Sequence, residues 1–122
     1  RVEQLAALAH RNGVRSLWSH LDGEVMILGP LVTPRQTACR LCATAEGLAP
    51  AATRGAAPPP DPFADALAHH LGQLVATEAL KVLTDYTGAR LGGRLRIQRR
   101  TLETEFHTLV RLPWCRVCGD GA

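Results

Sequence analysis

Two segments of the chain repeat their apolar residues with the spacing of a helix that covers a core on one side. The first is residues 1–10, which Asn12-Gly13 would end as a C-cap and turn. The second is residues 61–86, where Asp61-Pro62 supplies an N-cap and a first-turn proline. Gly72 lies inside this helix and costs about 1 kcal/mol relative to alanine, so we expect a neighbouring element to pack closely there. The apolar face of the second helix consists of Phe63, Ala66, Leu67, Leu71, Leu74, Val75, Ala79, Leu80, Val82 and Leu83.

Four shorter segments have the residue pattern of β-strands: residues 14–20, 24–32, 94–99 and 105–112. Asp22-Gly23 predicts a hairpin turn between the first two, and Gly29-Pro30 predicts a break inside the second. Residues 101–104 would turn the chain between the last two. In the third segment Leu95 and Ile97 are expected to face the core, while the alternating polar residues Arg94, Arg96 and Gln98 are expected to face solvent.

Residues 47–62 show no core-forming pattern, because twelve of these sixteen residues are Ala, Gly or Pro. They predict an extended or mobile loop, either a functional crossover or a disordered insertion. The chain thus divides into a helix and strand hairpin (residues 1–46), the loop (47–62), and a long helix with a second hairpin (63–122). Together these parts form one domain or half-domain of the α/β class, α+β within this fragment.

Composition and charge exclude several classes of protein. The 122 residues are 46% hydrophobic and 20% charged, which is typical of an ordinary globular domain. No apolar run approaches the ~18 residues of a membrane span, and the charged start is unlike a signal peptide, so we expect a cytoplasmic protein without a membrane partner. Because the chain starts with Arg1 rather than Met, we also expect the C-terminal piece of a longer protein.

The net charge of +3 and an aromatic content of 4% do not argue for nucleic acid. The second hairpin would nevertheless have a basic face. This face is either solvated or an anion or acidic-peptide site, and the first interpretation is favoured. The residues that would form it are Arg94, Arg96, Arg99, Arg100 and Arg111.

The four cysteines form two C-x-x-C pairs, Cys39 with Cys42 and Cys115 with Cys118. Two thiolates three positions apart can present both sulfurs to one tetrahedral cation, and two such knuckles complete a closed zinc site. A closed site leaves no position for water, so the zinc would be structural. Gly119 follows the second pair and would give its turn conformational freedom.

Other cysteine chemistry remains open, though zinc is favoured. The alternatives are disulfides, a redox pair and an iron–sulfur cluster. Arg40 and Arg116 lie inside the knuckles, where they either offset the negative charge of the site or are simply exposed. His69-His70 cannot easily share a metal, because adjacent helix residues point about 100° apart, so we expect solvent-exposed or capping histidines.

Three stretches together resemble a known family: HLGQLVATEALKVLTDYTG (70–88), GGRLRI (92–97) and RLPWCRVCG (111–119). They are similar to the C-terminal half of ThiF/MoeB proteins, which are adenylating enzymes related to ubiquitin-activating enzymes. ILGPLVTPRQTACRLC (27–42) looks most like the ThiF-like partners of YcaO cyclodehydratases in clusters for thiazole/oxazole-modified peptides. The resemblance covers about three quarters of the chain.

The resemblance implies specific sites and partners. Cys39, Cys42, Cys115 and Cys118 match the structural zinc ligands of the family. The long helix would pack on a sheet and contribute to a homodimer or hetero-complex. Active members bind ATP and Mg through an N-terminal doubly wound half whose glycine-rich turn holds phosphates. This chain contains neither G-x-G-x-x-G nor G-K-[ST], so ATP and Mg are expected only if such a half is present upstream.

Three functions follow as alternatives. The favoured one is a ThiF-like zinc-containing scaffold that recruits a precursor (leader) peptide to a YcaO-type or other modifying enzyme. The second is the C-terminal half of an active ATP-dependent adenylyltransferase acting on a peptide or ubiquitin-like C-terminus. The third is a free-standing zinc-ribbon binding module. Because the chain shows no independent active site, no catalytic or cofactor-binding residue is assigned, and whether it is part of an enzyme stays open.

Overall fold

The computed structural model describes residues 1–45, 62–86 and 92–121. Within these ranges the chain is α+β, with one long helix against an antiparallel sheet. The elements in order are α1 (Val2–Arg11), β1 (Ser16–Asp22), β2 (Val25–Val32), α2 (Arg40–Ala45), α3 (Ala64–Leu83), β3 (Gly93–Gln98) and β4 (Thr104–Thr108).

The four strands form one sheet in the order β1-β2-β3-β4, and every neighbouring pair is antiparallel. Asp22 pairs with Val25, which places the first hairpin turn where Asp22-Gly23 predicted it. β2 is nearly all buried because it lies in the middle of the sheet and both of its faces are covered. The predicted segments 1–46 and 63–122 therefore contribute two strands each to a single sheet, while residues 46–61 lie outside the described residues.

The predicted break at Gly29-Pro30 is a local irregularity, and β2 continues through it. Leu17 pairs with Leu31 but Ser19 pairs with Leu28, so two residues of β2 oppose one residue of β1. This is the arrangement of a β-bulge. Gly29 has a φ of 100°, and a Cβ there would overlap the carbonyl oxygen of Gly93 on β3. The position requires glycine because both its backbone conformation and its surroundings exclude a side chain.

α3 covers one face of the sheet, which we call the helix face. Leu71 is its one buried residue within the described part of the chain, and it packs with Met26, Leu28 and Ile97. The ends of the helix are exposed, with Leu80 at 61% and Leu83 at 78% exposure, so only the middle of the predicted apolar face is covered.

Two predictions about α3 were wrong. The helix begins at Ala64, so Pro62 and Phe63, the predicted first two helical residues, form a turn instead. Asp61, the predicted N-cap, lies outside the described residues. Gly72 is exposed and no atom lies within 4 Å of a Cβ built on it, so no neighbour packs closely there.

We expect Leu71→Ala to reduce the free energy of unfolding by about 2 kcal/mol, because it leaves a cavity between α3 and β2. Leu83→Ala is the matched control in the same helix, and its 78% exposure predicts a change below about 0.5 kcal/mol. Urea unfolding followed by circular dichroism measures both. Equal losses in the two variants would contradict this account of the core.

Candidate metal centre

The first cysteine pair is held by a hydrogen-bonded turn that follows β2. The backbone N–H of Thr33 donates to Oγ1 of Thr37 at 2.9 Å, and the N–H groups of Gln36 and Thr37 donate to the carbonyl of Thr33. This turn brings the chain back over the sheet, so that Cys39 lies just before α2 and Cys42 lies inside it. Threonine at position 37 is suited to this role because its hydroxyl both accepts and donates.

The second pair follows β4 in a short segment that is fixed by hydrogen bonds to its backbone carbonyls. The N–H of Gly119 donates to the carbonyl of Cys115 at 2.7 Å, and Arg111 Nε donates to the carbonyl of Cys118 at 2.6 Å. Gly119 is buried, and a Cβ there would overlap the carbonyl oxygens of Pro113 and Cys115. The glycine is therefore required for space. Its φ is not in the left-handed region, so the conformational freedom that the sequence suggested is not what this position needs.

The two pairs meet in one buried cluster on the sheet face opposite α3, which we call the cysteine face. The Sγ atoms lie 3.8 Å apart between Cys39 and Cys42, 3.6 Å between Cys39 and Cys115, and 3.4 Å between Cys42 and Cys118. All four side chains are buried and none forms a disulfide. The four ligand atoms lie within 4.8 Å of one another, so the cluster could hold a metal ion.

The spacing of the sulfurs fits a tetrahedral cation. Zinc–sulfur bonds of ~2.3 Å place four tetrahedral ligands about 3.8 Å apart. The three sulfur distances of 3.4–3.8 Å lie close to that value and well beyond the ~2.05 Å of a disulfide. A donor set of four buried thiols suits zinc better than magnesium or calcium, which prefer oxygen ligands.

Burial and backbone hydrogen bonds shift the pKa values of these thiols in opposite directions. Burial raises the pKa of Cys39 and Cys118 above the ordinary value of 9.0. Burial also raises the pKa of Cys115. The backbone N–H groups of Cys118 and Val117 donate to its sulfur, however, and lower this pKa to about 7. Such N–H groups stabilise the thiolate, which is the form that binds a metal.

Three side chains from separate elements connect α1 and β1 to the first knuckle. Arg40 lies 5.4 Å above the ring of Trp18, and its Nη1 is 3.1 Å from Oε1 of Glu3. Trp18 also packs against the cysteine cluster. Of the two knuckle arginines, Arg116 is exposed, whereas Arg40 has these specific partners. This link was not predictable from the sequence, because nothing in the spacing of residues 3, 18 and 40 indicates that they meet.

Comparisons with known proteins give matches among solved structures. No protein-family model matches the chain, and no curated protein does. The Escherichia coli enzyme MccB of microcin C7 biosynthesis, in complex with N-formylated MccA, has a TM-score of 0.77 at 20% identity, over 97% of this chain and 37% of its own. A heterocyclase in complex with substrate and cofactor has a TM-score of 0.69 at 21% identity, over 98% of this chain and 19% of its own.

The chain has the fold of part of these ThiF-like enzymes. A third structure, E. coli MccB with ATP, matches with a TM-score of 0.75 at 19% identity over 97% of this chain. The chain spans about a third of MccB and about a fifth of the heterocyclase. The predicted resemblance is thus confirmed at the level of the fold.

The structure corrects the predicted basic face of the second hairpin. Arg99 and Arg100 both contact Glu24, Arg96 lies 3.8 Å from Glu105, and Arg111 lies 2.9 Å from Asp120. Arg94 is buried at 5% exposure, so its predicted outward position was wrong. Acidic neighbours therefore offset most of this charge, which favours the solvated interpretation over an extended anion-binding face.

The remaining predicted features lie away from the cysteine cluster. His69 and His70 are exposed on α3, on the other side of the sheet from the cysteines, as their helical position predicted. The last strand is shorter than predicted, since β4 ends at Thr108 and buried Leu109 follows it. None of the helices in the described ranges has the length and apolar character needed to cross a membrane.

Proposed function

We propose that this chain is a zinc-stabilised part of a ThiF-like protein that acts in the biosynthesis of a ribosomally made, thiazole/oxazole-type peptide. In this role it recruits the precursor peptide to a YcaO-type cyclodehydratase. The observation that carries the proposal is the fold match over 97–98% of the chain to two different enzymes, one bound to a peptide and the other to its substrate. Four free thiols are compatible with the reducing cytoplasm, where we place the protein.

In this proposal Cys39, Cys42, Cys115 and Cys118 bind the zinc ion. The ion supplies no open coordination position, and its role is to join the end of β2 to the segment after β4. These two segments are distant in the sequence but pack together in the same buried cluster on the cysteine face. A fixed cysteine face then serves as the platform on which a peptide or partner enzyme is placed.

The exposed apolar side chains support a partner beyond the described residues. Leu80, Leu83 and Tyr86 are each more than 60% exposed at the C-terminal end of α3 and just beyond it. Exposed apolar groups that cluster on one element indicate an interaction surface more often than scattered ones do. We propose that a second copy of the protein, or the modifying enzyme, covers this part of the helix.

The test uses the full protein from its own host together with synthetic copies of each short peptide encoded in the same gene cluster. We expect one peptide to bind with a Kd in the micromolar range, and a scrambled version of it to bind at least tenfold more weakly, roughly 1.4 kcal/mol. Native mass spectrometry should also show one zinc per chain and a cyclodehydratase as partner. Absence of binding by every such peptide would refute the recruitment function.

The alternative is that the complete protein is an active adenylyltransferase, and the match to MccB with ATP favours it as the second candidate. The same preparation decides between the two. Exchange of radioactive pyrophosphate into ATP, dependent on the peptide, would establish adenylation. Peptide binding without pyrophosphate exchange would support the scaffold function and contradict adenylation.

A further inference from the structure

Arg94 is a buried cation without an acceptor in the described part of the chain. It lies in β3 next to Leu95, which packs towards α3, so the Arg94 side chain projects from the cysteine face. Only 5% of the residue is exposed, and neither Nε nor Nη1 has a hydrogen-bond partner among the described residues. A buried guanidinium without a partner is strongly unfavourable, which indicates that something else supplies the acceptor.

A second unpartnered group lies on the same face. His20 of β1 lies opposite Ile27 of β2, and Ile27 lies opposite Arg96 of β3. Arg94 is two residues from Arg96 on the same strand, so its side chain is on the same face as that of His20. Its Nε2 is buried and also has no hydrogen-bond partner. Burial, and then the positive charge of Arg94, lowers the pKa of His20. Asp22 acts in the other direction, and Arg40 lowers the pKa further. The charge of Arg94 therefore acts on His20, and the lowered pKa favours the neutral form of the imidazole.

The acidic group on the neighbouring strand already has other partners. Glu105 Oε2 lies 3.8 Å from Arg96 and 3.4 Å from Nε2 of His107. Asp22 raises the pKa of His20 through its charge. The face between β1 and β3 thus contains unpartnered donors from two strands, Arg94 and the neutral imidazole of His20.

We propose that Arg94 and His20 bind a carboxylate of a peptide ligand on the cysteine face. One buried guanidinium and an uncharged imidazole on the same face match the single charge of a carboxylate, whereas a phosphate chain would need more cations. The carboxylate belongs either to the C-terminus of the peptide or to an acidic side chain within it. Its assignment to a peptide rests on the proposed function, but the existence of the site does not.

The test follows the Nε–H signal of Arg94 by NMR in the intact, arginine-labelled protein. The probes are N-acetylglycine, which has a free carboxylate, and N-acetylglycinamide, which has the same shape without the charge. We expect a saturable shift with the first probe and at least roughly tenfold weaker binding of the second. No shift with N-acetylglycine, or equal shifts with both, would overturn the proposal.

Two further probes distinguish the source of the anion. Acetyl-Ala-Glu-Ala-amide carries only a side-chain carboxylate, so tighter binding than N-acetylglycine would assign the site to an acidic side chain, and weaker binding would assign it to a C-terminus. Inorganic phosphate serves as the competing anion. If phosphate binds more tightly than either carboxylate, the carboxylate assignment is wrong. A recruited peptide could still bind elsewhere in that case, so the proposed function would be tested separately.

Variants separate a ligand-binding arginine from a structural one. Arg94→Met should abolish binding while the melting temperature stays the same or rises, because it removes a buried charge without partners. Arg96→Gln, on the same strand and already paired with Glu105, should bind N-acetylglycine like the parent. If Arg94→Met binds N-acetylglycine normally, the carboxylate site is not at Arg94. If this variant folds poorly, the shift of the Arg94 Nε–H signal in the unmodified protein still tests the proposal.

Discussion

Replacing Cys42 by serine is expected to release the metal and to lower the free energy of unfolding by at least about 3 kcal/mol, because a structural zinc site contributes directly to folding. Cys42 is completely buried, and its sulfur lies 3.8 Å from Cys39 and 3.4 Å from Cys118. A serine hydroxyl is a poor zinc ligand and is itself unfavourable in this apolar position. Metal analysis and denaturant unfolding measure the two effects.

The control compares the stability of the parent protein and of Cys42→Ser, each measured with and without a metal chelator. Removing the metal from the parent protein should cost about as much stability as the substitution does, and the Cys42→Ser variant should then be insensitive to the chelator. Arg116→Ala changes an exposed residue inside the other knuckle, so it should retain one zinc and the parent stability. A Cys42→Ser protein that keeps its zinc, or melts like the parent, would remove zinc from the proposed role.

Features encoded by short-range spacing were predictable from the sequence. Each C-x-x-C pair is a local signal, and a closed zinc site needs four ligands, so the sequence predicted that the two pairs meet without knowledge of the fold. Asp22-Gly23 identified the first hairpin turn in the same way, since the turn depends only on adjacent residues. The resemblance to ThiF-like proteins then supplied the arrangement of helix and hairpin, which the matched structures bear out.

Features that depend on packing between distant segments were not predictable. Strand alternation places Arg94 and Arg96 on one face but does not reveal that the first is buried and the second exposed. For α3, the sequence shows a continuous apolar face, yet a helix of 20 residues is about 30 Å long and contacts mainly β1 and β2. Its C-terminal end extends past this narrow contact, which explains why Leu80 and Leu83 are exposed.

The cysteine cluster and the carboxylate site are connected through the fold. Trp18 and His20 lie on the same face of β1, two residues apart, and Trp18 packs against the cysteine cluster. A metal ion held by the cluster would therefore restrain Trp18 and, with it, the strand that carries His20. We infer that loss of zinc would also disorder the proposed peptide site, so binding experiments need the metal-bound protein.

Gly119→Ala is expected to destabilise the protein by about 3 kcal/mol or more and to weaken metal binding, although no ligand is changed. A methyl group at this position would overlap two backbone oxygens, those of Pro113 and Cys115, and backbone atoms cannot move aside as a side chain can. The chain would have to open the 2.7 Å hydrogen bond from Gly119 to Cys115, and the two sulfurs of the knuckle would separate.

Gly121→Ala is the matched control two residues along the chain, where no atom lies within 4 Å of an added Cβ. Replacing this glycine should leave the free energy of unfolding unchanged or raise it by up to about 1 kcal/mol, because alanine restricts the unfolded chain. Competition with a coloured zinc chelator and urea unfolding measure both variants. If Gly119→Ala matches Gly121→Ala in stability and zinc affinity, the second knuckle is not held by close backbone packing, and the site depends on the sulfur ligands alone.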